Sequence, residues 1–233
     1  MYKQFIKSIK FIIKRFWSIR LLRSYFLSFK YAGRKGIILP IIISNKTRIK
    51  SIIGGIHLPN NVGFGLLKVG FSDVSISYYK EDYSLLNING VLKIKGEVNL
   101  GAGTKIFVGV NAVLEIGSNL LITANSSIVC KKKIVINENC LISWDVLIMD
   151  SDAHPIRNTN NEIINLDKPI TIGNNVWLGC RSVVLKGANI PDNCIVASNS
   201  LVNKIFDENN CIIAGQPGQS VKKNIVWLRE AFN

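Results

Sequence analysis

The residues best suited to proton transfer near neutral pH are the two histidines of this sequence, His57 and His154. His154 stands in the heptapeptide Asp-Ser-Asp-Ala-His-Pro-Ile, residues 150–156, and a polar segment without regular apolar spacing follows it. A histidine in this setting could act as a general base that takes a proton from an attacking group. His57 has no such motif around it, and for this residue we expect a structural role.

The cysteines form no recognisable pair or cluster. Their number is odd and no two of them are spaced as Cys-x-x-Cys: 130, 140, 180, 194 and 211. The pattern therefore indicates neither a disulfide framework nor a zinc knuckle, and no metal is expected. A reducing compartment, the cytoplasm, fits it best.

A six-residue apolar period indicates the scaffold that carries these groups. All seventeen positions of the period are Ile, Leu or Val: 88, 94, 100 and 106; 116, 122, 128 and 134; 136, 142 and 148; 172, 178, 184, 190, 196 and 202. Neither the helical period of 3.6 nor the strand period of 2 explains this spacing alone. A solenoid with three short strands in each coil explains it, because one branched side chain of each strand points inward.

The residues around the period agree with tight corners between the strands. Small residues precede inward positions by two at Cys140, Ala188 and Cys194, so we assign these cysteines to core packing. Glycine and asparagine, which accept positive φ, crowd the four-residue segments that begin at residues 116, 136, 172 and 190. The period stops between His154 and Ile170, which predicts a functional loop outside the solenoid.

Three segments carry a resemblance to a known family: 150–156, 168–193 (KPITIGNNVWLGCRSVVLKGANIPDN) and 212–223 (IIAGQPGQSVKK). From about residue 116 to 221 the chain resembles the hexapeptide-repeat acyltransferases, in particular the galactoside, maltose and polysaccharide O-acetyltransferase branch. The resemblance implies an all-β fold, a left-handed parallel β-helix, that assembles as a homotrimer. It also implies transfer of an acetyl group from acetyl-CoA to a hydroxyl of a sugar, a surface polysaccharide or a lipid-linked glycan.

The same resemblance assigns the catalytic roles. His154 matches the family's general base, and Asp150, Asp152 or a backbone carbonyl could orient its imidazole. Cys180 occupies the position whose backbone N–H stabilises the tetrahedral intermediate, where a serine is common among relatives. Cys180 as a covalent nucleophile is not favoured, because no base stands near it in the sequence.

The binding residues are also implied by the resemblance. The pantetheine arm of acetyl-CoA is expected along Trp177, Gly179, Cys180, Ala197 and Ser198. Its phosphates are expected at Lys204, Lys222 and Lys223. For the carbohydrate acceptor we expect Asn125 and Asp150, with Trp144 and Asp145 as weaker candidates.

The net charge of +14 belongs to one end of the chain. The first 72 residues hold fourteen Lys or Arg and neither Asp nor Glu, whereas the remainder is neutral. The spacing of apolar residues in 2–30 predicts one or two helices, with an apolar stripe made of Phe5, Ile9, Ile12, Ile13 and Phe16. Such a segment could lie on an anionic membrane at the inner face of the cell membrane, or it could cap the open end of the solenoid.

These features divide the chain into four parts. We expect a basic amphipathic helical segment (1–36), an irregular region (37–85), the β-helix (86–214) with the loop 155–169, and a short C-terminal helical tail (215–233). The absence of a signal peptide and of a long apolar run favours a cytoplasmic protein.

Three other functions share some of these sequence features. The γ-class carbonic anhydrases share the β-helix but bind zinc through three histidines, and this sequence has two. Nucleic-acid binding is not expected, because the basic residues are confined to one end and no binding motif accompanies them. An amino-sugar N-acetyltransferase or a serine acetyltransferase on the same fold remains the alternative.

Overall fold

The computed structural model describes Phe11, Ile13 and residues 15–229. Near its N-terminal end lie two short 3₁₀ helices, Phe16–Ser18 and Gly33–Ile38, and between them the helix α1 (Leu21–Ala32). From Leu39 onwards the described chain is built from β-strands and the turns and loops that connect them.

The strands form three sheets, and successive strands of a coil lie in sheet 1, sheet 2 and sheet 3 in turn. Sheet 1 contains, in spatial order, β1 (Ile41–Ile43), β4 (Leu67–Val69), β7 (Val98–Ala102), β10 (Leu120–Ala124), β13 (Leu141–Ile142), β16 (Trp177–Leu178), β19 (Ile195–Val196), β21 (Ile212–Gly215) and β22 (Gly218–Lys222). Sheet 2 contains β2 (Thr47–Ile52), β5 (Ser84–Ile88), β8 (Lys105–Val108), β11 (Ser127–Cys130), β14 (Leu147–Met149), β17 (Val183–Leu185) and β20 (Leu201–Val202). Sheet 3 contains β3 (Gly55–His57), β6 (Val91–Ile94), β9 (Val113–Ile116), β12 (Lys133–Ile136), β15 (Ile170–Ile172) and β18 (Asn189–Ile190).

The core is a column of branched side chains inside the coils. All seventeen residues of the six-residue period are buried. Strands of neighbouring coils pair in parallel, so that Ile122 of β10 faces Leu100 of β7 on one side and Ile142 of β13 on the other. Each inward side chain therefore stacks on its equivalents in the coils before and after it, and the predicted solenoid is confirmed.

The corners have the conformations that their residues predict. Asn119, Asn139, Asn175 and Asn193 all have positive φ, between 52° and 60°. They stack along one edge, where the Asn119 amide donates to Asn139 at 2.9 Å and the Asn175 amide donates to Asn193 at 3.0 Å. Asparagine tolerates this left-handed conformation better than other residues with a Cβ, and these side chains also bond neighbouring coils.

The cysteines at the corners are packing residues, as predicted. Cys140 and Cys194 are buried, and all five cysteines of the chain are free. Burial raises the pKa of the Cys140 thiol to about 11, so this thiol stays protonated and unreactive at neutral pH.

The prediction of an irregular region at 37–85 is wrong. The β-helix begins at Ile41, and β1, β2, β3 and β4 pair in parallel with the strands of the next coil. The six-residue period misses these coils because two irregular segments, 58–66 and 70–83, interrupt their spacing. The strands of these coils could have been found from short stretches in which every second residue is apolar and buried, such as Leu67 and Val69.

The helix α1 caps the first coil. Its Ser28 hydroxyl accepts from the Ile41 N–H and donates to the Ile41 carbonyl, both at 3.1 Å, and the Ser24 hydroxyl accepts from the Ile43 N–H at 3.1 Å. These bonds satisfy the backbone groups of β1, whose outer side has no further coil. An uncovered strand edge would pair with other chains, so the helix protects the end of the sheet.

Part of the predicted N-terminal segment is not described. Phe5, Ile9 and Ile12 of the expected apolar stripe lie outside the described residues, whereas Ile13 and Phe16 are exposed. Among the described residues, no helix has the length and apolar character that crossing a membrane requires.

The prediction of a C-terminal helix is wrong in the part of the tail that is described. Residues 218–222 form β22, which pairs antiparallel with β21, and residues 223–229 contain no helix. The free edge of β21 offers hydrogen bonds to the chain that turns back after Gly215, and this pairing outweighs the weak helical spacing of the tail.

We expect the double variant Ser24→Ala/Ser28→Ala to be destabilised, because it leaves the buried N–H groups of Ile41 and Ile43 without acceptors. Each unsatisfied donor costs roughly 1–3 kcal/mol, so the free energy of unfolding should fall by roughly 2–6 kcal/mol in urea denaturation. Ser220→Ala, at an exposed position of β22, is the matched control and should unfold like the wild type. A double variant of wild-type stability would show that α1 does not cap the β-helix.

Candidate functional site

Side chains leave the β-helix at the edges where one strand ends and the next begins. We call the segments between sheets 2 and 3 the histidine edge: 131–132, 150–169, 186–188 and 203–204. We call the segments between sheets 1 and 2 the cysteine edge: 125–126, 143–146, 179–182 and 197–200. The residues predicted to do chemistry divide between these two edges.

His154 lies at the base of the loop that leaves the histidine edge. It lines an open cleft of about 230 Å³ together with Lys131, Ser151, Ala153, Pro155, Ile163, Asn165, Leu166 and Asp167. All of these residues belong to the histidine edge. The imidazole is exposed and forms no hydrogen bond with any described residue, so it is free to meet a group that enters the cleft.

Asn165 joins the two ends of this loop. Its side-chain amide donates to the His154 carbonyl at 2.8 Å and to the Asp152 carboxylate at 2.9 Å, and its side-chain oxygen accepts from the Ile156 N–H at 2.6 Å. The backbone on either side of His154 is therefore held by one side chain. No sequence motif marked Asn165, because its role depends on the loop folding back on itself.

Asp152 is bonded to the loop and to the next coil. Its carboxylate forms an ion pair with Lys186 and accepts from Asn165, and its backbone carbonyl accepts from the His154 N–H at 2.7 Å. The hydrogen bonds from Lys186 and then from Asn165 lower the pKa of the Asp152 carboxyl. The imidazole of His154 donates no hydrogen bond to this carboxylate, one of the three groups expected to orient it, and Asp152 holds the backbone of His154 instead.

Asp150 is not available to a substrate, so its predicted place in the acceptor site is wrong. The residue is fully buried, and its carboxylate accepts from the backbone N–H groups of Lys131, Lys132 and Lys133 at 2.6, 2.9 and 2.8 Å. It satisfies the donors of the preceding corner, where the chain turns between β11 and β12. The sequence alone could not separate this role from substrate binding, since either needs an aspartate beside a turn.

Cys180 lies on the cysteine edge, directly after β16. Its thiol bonds the Ser198 hydroxyl at 3.3 Å, and its carbonyl accepts from the Asn199 N–H at 3.0 Å. Within the described chain its own N–H donates to no protein group. A free backbone N–H at a half-buried corner is the type of donor that can bond an oxyanion.

The other residues expected along the donor surround Cys180. Trp177 is 36% exposed, donates from its indole N–H to the Ser143 hydroxyl at 3.0 Å, and packs against Trp227 with ring centroids 5.9 Å apart. Gly179 approaches the next coil so closely that a Cβ would lie 2.7 Å from the Ser198 nitrogen. Ala197 and Ser198 occupy the equivalent corner of that coil, so these residues form one continuous surface.

The three lysines predicted for the phosphates are exposed, and each has a different setting. Lys204, on the histidine edge, donates to the Gln219 side chain at 2.7 Å. Lys222 ends β22. Lys223 forms an ion pair with Glu208 at 2.9 Å, which raises the lysine pKa. The first two are free of carboxylates in the described chain, whereas Lys223 is already paired.

Asn125 and His154 lie on different edges of the β-helix, the cysteine edge and the histidine edge. Asn125 is half-buried on the cysteine edge, at positive φ, and its backbone N–H donates to the Ala102 carbonyl at 2.7 Å. Trp144 and Asp145 follow it one coil later on the same edge. His57 lies on β3 in the first coil, far from the loop of His154 along the β-helix.

Sheet 2 separates the histidine edge from the cysteine edge. Five residues lie between Cys180 and Lys186, and extended chain advances about 3.3 Å per residue, so the two edges are roughly 15–20 Å apart. One chain alone does not bring His154 to the N–H of Cys180. The two edges can meet only if a second chain presents its own edge.

Comparison with protein families finds a match to the family described as "Bacterial transferase hexapeptide (six repeats)" at residues 169–204. These residues run from the end of the His154 loop to Lys204. They include the Trp177–Gly179 corner and the Cys180 N–H.

Three relatives are similar over longer stretches. A protein of Klebsiella pneumoniae, the "Uncharacterized 24.8 kDa protein in cps region", is 30% identical over 190 residues, which are 80% of this chain and 81% of that protein. The polysialic acid O-acetyltransferase of Neisseria meningitidis is 44% identical over 102 residues, 43% of this chain and 47% of that protein. The enzyme of the same name from Escherichia coli O1:K1 / APEC is 28% identical over 138 residues, 59% of this chain and 42% of that protein. The chain thus spans less than half the length of either polysialic acid enzyme.

We expect Asp150→Ala to be strongly destabilising, because it leaves three backbone N–H groups of the preceding corner without their charged acceptor. The free energy of unfolding should fall by roughly 3–5 kcal/mol in chemical denaturation. Asp152→Ala is the matched control, since its exposed ion pair contributes at most about 1 kcal/mol. An Asp150 variant of unchanged stability whose KM for the acceptor rises would restore the substrate-binding role.

Proposed function

The chain belongs to the hexapeptide-repeat acetyltransferases, which are left-handed parallel β-helices, and we propose that it moves an acetyl group from acetyl-CoA to a hydroxyl of a polysaccharide or lipid-linked glycan. The observation that carries this proposal is the position of His154. Its imidazole is exposed in an open cleft, while its backbone is held by Asp152 and Asn165. A fixed backbone with a free imidazole suits a base that must meet an incoming substrate.

His154 is the proposed general base. A neutral sugar hydroxyl attacks a thioester slowly, so His154 takes the hydroxyl proton as the oxygen attacks the carbonyl carbon. The tetrahedral intermediate then collapses, the C–S bond breaks, and the proton passes from the imidazolium to the departing sulfur of CoA. The products are the acetylated hydroxyl and the free thiol.

The backbone N–H of Cys180 is the proposed donor to the oxyanion of the intermediate. Its freedom from protein acceptors supports this role, because the bond can form as charge develops on the carbonyl oxygen. The thiol of Cys180 is turned to Ser198 and has no base beside it. A backbone donor makes the side chain dispensable, so cysteine serves here where a serine would also serve.

The acetyl-CoA donor is proposed to lie along the cysteine edge. Trp177, Gly179, Ala197 and Ser198 form an uninterrupted surface beside Cys180 on which the pantetheine arm can rest. Lys222 and the Lys204 of the neighbouring chain, whose histidine edge would face this surface, then meet the phosphates as point charges, and Lys223 joins them after release from Glu208.

The active site is proposed to form between two subunits of a homotrimer. The separation of the histidine edge from the cysteine edge by the width of sheet 2 supports this arrangement. A three-fold axis would set the histidine edge of each chain against the cysteine edge of its neighbour. The same packing would bring the neighbour's Asn125 towards the cleft of His154, as an acceptor-binding residue.

The acceptor is proposed to be a glycan and not a free amino acid. The polysialic acid enzymes of Neisseria meningitidis and Escherichia coli act on a polysaccharide by name, and they are similar to this chain over 102 and 138 residues. The open cleft and the long polar loop beside His154 leave room for a chain of sugars. We propose the cytoplasm as the compartment, and the five unpaired cysteines support it.

We expect His154→Ala to lower kcat by roughly 10²–10⁴, the contribution of a positioned proton acceptor. The measurement is release of CoA thiol with a panel of glycan acceptors. The hydrogen bonds from Lys186 and Asn165 lower the pKa of the Asp152 carboxyl, so the ion pair beside His154 stays formed at neutral pH.

Two controls accompany this experiment. Acetyl-CoA should raise the melting temperature of His154→Ala as much as that of the wild type, since its proposed contacts lie on the cysteine edge. Cys180→Ser should keep most of its activity if the donor is a backbone N–H. Near-normal kcat in a well-folded His154→Ala variant would rule out the proposed base.

A further inference from the structure

The helix α1 presents two faces of opposite function. One face caps the β-helix and buries Ser24, Leu27 and Ser28. The other carries Leu22, Phe26 and Phe29, which recur at i, i+4 and i+7 and therefore form one stripe on the outer side of the helix. These three side chains are 88%, 59% and 46% exposed.

An apolar stripe of this kind is costly in water. Burying a Leu or Phe side chain is favourable, so the stripe would be stabilised by a surface that covers it. Trp17, just before the helix, is 90% exposed, and Phe16 is exposed beside it. Exposed apolar residues therefore lie both on the outer face of the helix and just before it, and a concentration of this kind is typical of an interaction surface.

The charges around the stripe are all of one sign. Arg23 and Lys30 are seven residues apart and follow one flank of the stripe, and Arg20 stands at the start of the helix. No acidic side chain forms an ion pair with these three residues within the described chain. Because residues 1–72 contain no Asp or Glu, the whole face is cationic.

We propose that the outer face of α1 docks on a membrane surface that contains anionic phospholipids. Leu22, Phe26 and Phe29 enter the boundary between headgroups and acyl chains, and Arg20, Arg23 and Lys30 bond the phosphates. The twelve residues of α1 are about 18 Å long, shorter than the roughly 30 Å hydrocarbon layer, so the helix lies in the plane of the interface. This geometry is that of an interfacial amphipathic helix.

The charge pattern favours lipid over the other occupants of such a surface. A second copy of the chain would bring two cationic faces together, and like charges at an interface oppose association. A nucleic acid would use the cations but would leave Leu22, Phe26 and Phe29 in water. Only an anionic surface with an apolar interior satisfies both the stripe and its basic flank.

The test is flotation of the full-length protein with vesicles of phosphatidylcholine, with or without one-third phosphatidylglycerol. We expect binding only to the anionic vesicles, and weaker binding as salt rises from 0.05 to about 0.5 M, because salt screens the headgroup contacts. Leu22→Gln/Phe26→Gln should weaken partitioning at least about tenfold, since two apolar side chains are removed from the interface. Arg23→Gln/Lys30→Gln should abolish the preference for anionic vesicles.

Matched controls keep the result specific to α1. Leu228→Gln removes an equally exposed leucine at the other end of the chain, and Lys80→Gln/Lys93→Gln removes two exposed cations elsewhere; both should bind like the wild type. All variants should keep wild-type melting temperatures and full activity on a soluble glycan acceptor, because every substituted side chain is exposed and outside the catalytic edges. Membrane docking is thus tested independently of the acetyltransferase activity.

Three outcomes would overturn the proposal. Wild-type protein that does not float with anionic vesicles has no such surface. A Leu22→Gln/Phe26→Gln variant that floats as well as the wild type places lipid binding outside α1. A variant whose oligomer becomes smaller in light scattering, with lipid binding unchanged, identifies the stripe as a contact between copies of the chain.

Discussion

Hydrogen bonding between successive coils determines where this molecule can carry chemistry. Every strand of the β-helix, except those at its two ends, bonds the coil before it and the coil after it, and every second strand side chain is buried in the core. The backbone and the inward side chains of the flat sheets can therefore vary little. Functional groups concentrate instead at the edges, where the backbone turns. His154 and Cys180 are both edge residues, one beside a long loop and one in a tight corner. The distance between their edges is set by the width of a sheet, which is why the proposed site needs two chains.

The same bonding leaves the first and last coils with unpaired edges, and the chain closes each in its own way. At the first coil, two serines of α1 bond the backbone of β1, which makes one face of the helix structural and leaves the other face to the solvent. At the last coil, β22 folds back on β21, and Trp227 from the following tail packs on Trp177. The C-terminal tail thereby supports the surface proposed for acetyl-CoA. The segments that close the two ends of the β-helix thus also form or support its proposed binding surfaces.

The sequence predicted most of the β-helix because the inward positions obey a strict period and the corner asparagines obey a conformational rule. The prediction failed in the first coils, where insertions break the six-residue period although the strands remain. It also failed in the C-terminal tail, where pairing with the free edge of β21 replaces the expected helix. For the site, the motif around His154 was sufficient to find the loop. The partners of Asp150, Asp152 and Asn165 were beyond prediction, because they depend on which coil lies beside which and on how the loop returns. Burial alone separates Asp150 from Asp152, and no local pattern in the sequence encodes that difference.

The central claim, a site shared between neighbouring chains, is tested most directly by mixing two inactive variants. His154→Ala removes the base from the histidine edge, and Ser198→Trp fills the exposed surface beside Cys180 on the cysteine edge. Each variant alone should be inactive while remaining trimeric in light scattering. After co-expression with different affinity tags, mixed trimers should regain about a quarter of the wild-type activity, because random mixing leaves about a quarter of the sites with an intact edge from each neighbour. Mixed trimers that form but stay inactive would contradict the shared site, since a site contained within one chain is never restored by its neighbour.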